Sequence, residues 1–154
     1  MYKVMLIDDN YVQLQSLLSY IDTASCDISE IKYSQSSYEA IQICREFKPD
    51  IIITDIAMPE MNGIELTEQI RELGINSQFI YISCYDDVDY FKSAIENEVV
   101  AYLIKPIIPG ELKKALKKAI DKLSKNSEHT ATLKILRENF IYRLLYSEDI
   151  GISP

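Results

Sequence analysis

The sequence predicts a doubly wound α/β sandwich on a parallel sheet, and three observations carry that expectation. Short apolar runs alternate five times with segments whose apolar residues recur at helical spacing. The central run, Ile51-Ile52-Ile53-Thr54, is β-branched, as suits a strand buried on both faces. Polar groups collect where the runs stop, with Asp8-Asp9, Asp55, Ser83 and Lys105 each closing one.

Taken in order, Tyr2 to Ile7 reads as a strand that stops at Asp8-Asp9-Asn10, with Asn10 expected to cap the helix that follows. Tyr11, Leu14, Leu17, Leu18 and Ile21 give that helix one apolar face. A second strand is expected around Ile28 to Tyr33. Ser36 with Glu39 resembles a capping box and opens a helix through Ala40, Ile41, Cys44 and Phe47. Pro49 precedes the central strand, which delivers Asp55 into a loop holding Pro59 and the turn signal Asn62-Gly63. Ile64, Leu66, Ile70 and Leu73 form a helix that Gly74 stops. Phe79 to Ile82 is the fourth strand and ends at Ser83. Asp86 or Asp87 caps a helix with Val88, Phe91, Ala94 and Ile95 on one face. Ala101 to Ile104 is the fifth strand, ending at Lys105-Pro106. A last helix buries Leu112, Ala115, Leu116, Ala119, Ile120 and Leu123 and turns its lysines outward.

Composition narrows the class. A chain of 154 residues, 47% hydrophobic and 26% charged, fits one globular domain with an appendage. A net charge of −8 argues against nucleic-acid binding by this stretch, which needs a basic face. No run approaches the roughly 20 apolar residues of a membrane span, and Met1 opens no signal segment. The three cysteines, Cys26, Cys44 and Cys84, form no CxxC pair, so a reducing cytoplasm is the expected location. The single histidine, His129, reads as a solvated linker residue.

Five such units take the flavodoxin-like strand order 2-1-3-4-5, in which the first and third strands flank the crevice. By itself Asp55 would read as a loop cap, but that order brings Asp8, Asp9 and Asp55 together on one rim with Ser83 and Lys105. Three close carboxylates repel one another unless a cation or proton neutralises them. Hard oxygen ligands suit Mg²⁺, and Lys105 adds a compact charge for a carboxylate or a bound phosphate. A carboxylate nucleophile beside Mg²⁺, a lysine and a hydroxyl is apparatus for an aspartyl phosphate. A purely stabilising charge network does not explain why every polar group sits on one edge.

These residues, with Met58-Pro59, Asn62-Gly63 and Tyr102, resemble the receiver domain of two-component response regulators over about residues 1–124. The resemblance implies that Asp55 is the phosphoacceptor, supplied by a sensor histidine kinase. It implies Mg²⁺ on Asp8, Asp9, Asp55 and the Ala57 backbone carbonyl, and Lys105 on the phosphoryl oxygens. It further implies a cis Lys105-Pro106 bond and a switch pair, Ser83 and Tyr102, that remodels the face made by the fourth helix, fifth strand and fifth helix. In many relatives that face forms a dimer. Three positions depart from the pattern: Cys84 stands where a small residue is usual and is expected to be packed and inert. Glu98 replaces a common glycine, with Asn97 expected to take the left-handed conformation instead. Asn10 replaces a frequent acid.

After Leu123 the polar stretch Ser124 to Thr130 reads as a hinge or a frayed helical turn, before Leu133, Leu136, Phe140 and Leu144 recur at helical spacing. Residues 125–154 are therefore expected to be a helical linker, similar to that of receivers fused to AraC-type helix-turn-helix regulators. On this reading Gly151 to Pro154 does not finish a domain, and DNA is reached only through a C-terminal domain beyond this chain, with a homodimer formed by the switch face or the linker helix. The alternative is a stand-alone receiver acting through protein contacts only. A haloacid-dehalogenase enzyme needs a second Asp where Ala57 stands, and a flavin module would have its phosphate repelled by Asp8-Asp9.

Overall fold

The computed structural model describes residues 1–21, 27–84 and 88–146, the side chains of 128–132, 134 and 140–146 excepted. It divides into two compact units, Met1–Ile120 and Asp121–Pro154. The first unit alternates β1 (Tyr2–Ile7), α1 (Tyr11–Tyr20), β2 (Ile28–Ser34), α2 (Ser37–Phe47), β3 (Ile51–Asp55), α3 (Gly63–Glu72), β4 (Gln78–Ser83), α4 (Val88–Glu96) and β5 (Ala101–Ile104). The last helix, α5, runs Pro109–Tyr146. The sheet order is β2-β1-β3-β4-β5, with every pair parallel, as expected from the sequence.

Every residue of β3 is buried, which is why an uninterrupted apolar run is tolerated there. On one face of the sheet Met5, Ile7, Ile52, Ile56, Phe79 and Tyr81 pack against Ala40 and Cys44 of α2, Leu66 and Ile70 of α3, and Ala94 of α4. Burial pushes the Cys44 thiol up to about 11, so it stays protonated and behaves as a small apolar residue. The buried stripe of α5 is Leu112, Ala115, Leu116 and Ala119. Met58 and Met61, on the loop after β3, are buried in the same core and hold that loop down.

The helix ends follow local chemistry. The Asn10 side chain accepts from Val12 N at 2.9 Å and Gln13 N at 3.3 Å, capping α1. Ser36 accepts from Glu39 N at 3.4 Å to start α2. Asn62 and Glu65 form a reciprocal capping box on α3. Gly74, at φ 80°, ends that helix in the left-handed conformation that suits glycine.

Several expectations are corrected. Tyr11, assigned to the covered face of α1, is exposed. So are Val88, Phe91 and Ile95 on α4, which buries Ala94 alone. Periodicity identifies residues that share a face, and among the described residues of the first unit nothing covers most of this one. Of the two readings of Ser124 to Thr130 the helical one agrees with the structure and the hinge does not: the stretch lies within α5, which meets neither glycine nor proline between Gly110 and Gly151. The expected cap at Asp86 or Asp87 and the segment Gly151 to Pro154 lie outside the described residues, as do the side chains of His129, Phe140 and Leu144.

The end of α4 gives another correction. Glu98, not Asn97, takes the left-handed conformation, at φ 53°. Val99 N donates to Ala94 O at 3.1 Å and Glu98 N to Ile95 O at 3.0 Å, the paired bonds of a Schellman motif whose left-handed position is Glu98. Asn97 sits one residue earlier, with its amide donating to Ser93 O at 2.9 Å. A side chain on a left-handed residue costs about 1 kcal/mol. Glu98→Gly is therefore expected to raise stability by about 1 kcal/mol, measured as the shift of the urea midpoint at constant slope. A midpoint that falls would contradict this account of the α4 terminus.

Candidate functional site

The site lies where the strands stop together. Ile7 is opposite Thr54, Asp55 opposite Ile82, and Ser83 opposite Ile104, so parallel registry delivers the residue after each strand to one edge. Asp8 and Asp55 are almost fully buried there, and Asp9 is exposed. Carboxylate oxygens of Asp8, Asp9 and Asp55 all lie within 4.8 Å of one another. Lys105 Nζ donates to Asp8 Oδ2 at 3.1 Å and to Asp55 Oδ2 at 3.2 Å. Its own N–H donates to Ser83 O at 2.8 Å, which fixes the ends of β4 and β5 together. The Lys105–Pro106 peptide is cis.

One ammonium does not neutralise three acids. Burial raises the pKa of both Asp8 and Asp55. Lys105 opposes this at both, whereas Asp8 pushes Asp55 further up. Burial by itself works against the charge on Lys105, but Asp55 and Asp8 more than offset it and hold the ammonium above its ordinary range. The excess is negative. In addition, Asp55 Oδ1 is buried and has no hydrogen-bond partner among the described residues. An orphaned buried carboxylate oxygen inside an under-neutralised acid cluster fits a hard divalent cation such as Mg²⁺.

The backbone around Asp55 is held closely. Thr54 Oγ1 donates to Asp55 O at 2.9 Å. Gly63 N donates to Ile56 O at 2.9 Å. A Cβ on Gly63 would lie 2.5 Å from Asp55 O, so only glycine lets α3 begin this close to the acidic residue. Sequence reading took Asn62-Gly63 as a turn signal and missed this contact. Its mark in the sequence is a glycine at the first helical position, where a turn alone requires none.

The remaining candidates are placed as follows. Ser83 is fully buried at the end of β4. Ala57 is exposed at the start of the loop after β3. Tyr102 is half-buried on β5, edge-on to Phe91 of α4 with ring centroids 5.8 Å apart. Cys84 is exposed, against the expectation of a packed thiol. Gln35, which sequence reading passed over, donates to Asp9 O at 3.2 Å and ties the loop after β2 to the acidic pair.

Fold and site together define a doubly wound α/β module with an acidic cluster, able to hold a cation, at the carboxyl edge of its sheet. Residues 4–117 match the family model of the response regulator receiver domain, and the chain belongs to that family. A response regulatory protein of Staphylococcus epidermidis is 32% identical over 130 residues, which cover 84% of this chain and 51% of that protein. The transcriptional regulatory protein YesN of Bacillus subtilis is 33% identical over 137 residues, 87% of this chain and 37% of YesN. The chain thus spans about half or less of the length of these relatives. Among solved structures, the REC domain of the response regulator AraT from Geobacillus stearothermophilus superposes with a TM-score of 0.75 at 28% identity, covering 82% of this chain and 98% of that one. Among the described residues, no helix is long and apolar enough to cross a membrane.

The charge balance has a consequence for stability. Because burial raises Asp8 and Asp55, the folded state holds their protons more tightly than the unfolded chain does. Their contribution is fully present below the ordinary carboxylate range and is lost as pH rises through the raised folded values. Asp55→Asn carries no ionisable group and leaves Lys105 paired to Asp8. In EDTA it is expected to be more stable than the wild type at pH 7, with the difference shrinking towards pH 4, in urea titrations across that range. A variant less stable than wild type at pH 7 would refute the assignment.

Proposed function

We propose that this receiver domain is a phosphorylation switch whose acceptor is Asp55. The observation that carries the reading is the Asp55 carboxylate at a sheet edge, 3.2 Å from Lys105 Nζ and clustered with Asp8 and Asp9. A carboxylate oxygen of Asp55 attacks the phosphorus of a phosphohistidine on a sensor histidine kinase. The P–N bond breaks, its electron pair stays on the imidazole, and an acyl phosphate forms. Lys105 moves its hydrogen bonds from the carboxylates to the arriving phosphoryl oxygens. Asp8, Asp9, Asp55 and the Ala57 carbonyl are the residues that would hold Mg²⁺, whose chemistry there is to neutralise charge on the carboxylates and the phosphoryl group.

The output follows from the added charge. Ser83 turns its hydroxyl to the phosphoryl oxygens, and Tyr102 follows inward from its place against Phe91. The face that changes is α4-β5-α5, where Val88, Phe91, Ile95, Ile104 and Ile108 stand exposed. Lys113, Lys114, Lys117 and Lys118 stand exposed on α5 around it. A two-fold homodimer is the arrangement such a surface supports. In the second unit Leu133, Ile135 and Leu136 are exposed on α5 and would pair in the same dimer. Longer relatives named transcriptional regulators, of which this chain's matched stretch covers 37% and 44%, and a solved two-component transcriptional regulator named AraC at 28% identity support residues 125–154 as a linker towards an AraC-type DNA-binding domain; we place the protein in the cytoplasm. These relatives favour a linker over a stand-alone receiver.

Incubation of the chain with Mg²⁺ and acetyl phosphate, read by intact mass, is expected to yield one phosphoryl adduct. The adduct should vanish in EDTA and in Asp55→Asn, and light scattering should show a shift from monomer to dimer alongside it. A folded chain that binds Mg²⁺ yet takes no adduct would end the phosphoacceptor reading. An adduct without dimerisation would end the dimer reading alone.

A further inference from the structure

Two buried hydroxyls lie outside the machinery described so far. Tyr81, on β4, is fully buried, and so is Thr67 in the middle of α3. Their oxygens are 2.6 Å apart, and Thr67 Oγ1 also donates to Gly63 O at 2.8 Å. Thr67 has a single hydroxyl proton, and that bond uses it, so Tyr81 must be the donor in the other. The relay runs from the Tyr81 hydroxyl to the Thr67 hydroxyl to the Gly63 carbonyl. Burial raises the pKa of Tyr81, so its proton stays in place at neutral pH.

The relay ends on a strategic residue. Gly63 N donates to Ile56 O, and its α-carbon is pressed against the Asp55 carbonyl so closely that a Cβ would not fit. Gly63 is therefore held at both its N–H and its C=O. Tyr81 is also opposite Thr54 in the parallel register, and Thr54 Oγ1 holds the same Asp55 carbonyl. Two routes thus run from β4 to the neighbourhood of Asp55: Ile56 N donates to Ile82 O at 3.0 Å directly across the sheet, and the relay through the first turn of α3 reaches Gly63, which is bonded to Ile56 O and packed on Asp55 O. An apolar pair at 67 and 81 would fill the volume and leave the Gly63 carbonyl without its second donor. Buried hydroxyls are costly unless satisfied, and here both donors are used.

We propose that Tyr81 and Thr67 are positioning residues: their hydrogen-bond relay clamps Gly63 and so fixes the peptide that carries the Asp55 carboxylate in its reactive orientation. The inference rests on Asp55 being the phosphoacceptor. Among the described residues, the hydrogen bonds of this pair run to each other and to Gly63 and not to Asp8, Asp9 or Asp55, so the relay reaches Asp55 by way of Gly63.

The test pairs a local readout with a chemical one, in Tyr81→Phe, Thr67→Val and Thr67→Ser, all confirmed folded at the assay temperature. Native-state hydrogen exchange of the Gly63 amide is expected to quicken about tenfold in the first two variants, with β1 amides unchanged. Phosphorylation by acetyl phosphate and Mg²⁺ is expected to slow by about tenfold at saturating donor, with the donor concentration for half-maximal rate little changed, because a displaced carboxylate affects reaction more than binding. Thr67→Ser, which keeps the hydroxyl, should return both values to near wild type. Unchanged Gly63 exchange in Tyr81→Phe and Thr67→Val overturns the clamp, whatever happens to phosphorylation. A loosened Gly63 with wild-type phosphorylation rate overturns the positioning role. A wild-type chain that takes no phosphoryl group overturns the reading beneath it, and the exchange data then decide the clamp separately.

Discussion

The ammonium of Lys105, held 3.1 Å from Asp8 and 3.2 Å from Asp55, is the constraint on which the rest of the molecule depends. The three residues come from β1, β3 and β5, and β5 is separated from β3 by the whole of β4. Lys105 therefore reaches the carboxylates only if β4 ends level with its neighbours, and the bond from Lys105 N to Ser83 O enforces this. Parallel pairing does the remainder, since it sends every strand to the same edge. The cluster is a poor stabiliser: two buried acids share one buried base, and both carboxyls are raised by their burial. A fold keeps such an arrangement where chemistry uses it, and a fully buried β3 supplies the stability that the edge does not.

Around that cluster the two flanks of the sheet are built differently. On the Asp55 side, α3 starts with a reciprocal capping box, a glycine seated on the Asp55 carbonyl, and the Thr67–Tyr81 pair inside the core. On the other side, α4 buries Ala94 alone and ends on a strained left-handed glutamate. Few buried apolar contacts and stored backbone strain mark the least stable elements of a domain, and moving parts are drawn from them. The proposed acceptor is thus set in the stiff half and the proposed responding surface in the loose half.

Much of this was legible in the chain. Alternation of apolar runs with helical stripes predicted β1 to β5 and α1 to α5, and the polar residues ending the runs predicted which side chains meet. The failures share a cause. Val88, Phe91 and Ile95 form a clear stripe, but a stripe records only that residues share a face; whether anything covers it depends on where the neighbouring helices lie. The supposed hinge at Ser124 to Thr130 was inferred from polarity, whereas a helix is ended by residues that break its backbone, and none is present. Gly63 and the Tyr81–Thr67 pair depend on distances between elements far apart in sequence, which periodicity does not encode.

The asymmetry also constrains how a signal can leave the site. Charge added at Asp55 acts first on groups that can respond to it, and the Asp55 peptide is not one of them, since Thr54, Gly63 and the strand partner Ile82 all hold it. A response that displaced α3 would have to break a capping box and a buried hydroxyl relay together. A response through β4 and β5 meets less resistance: Ser83 lies beside Lys105, Tyr102 lies three residues before it, and the ring of Tyr102 rests on Phe91, which is itself half exposed on α4. On the proposed reading, the route from phosphoryl group to output surface is therefore set by where the fold is weak. The clamp on α3 blocks the competing route, so the same bonds that would orient Asp55 would also direct its signal towards α4.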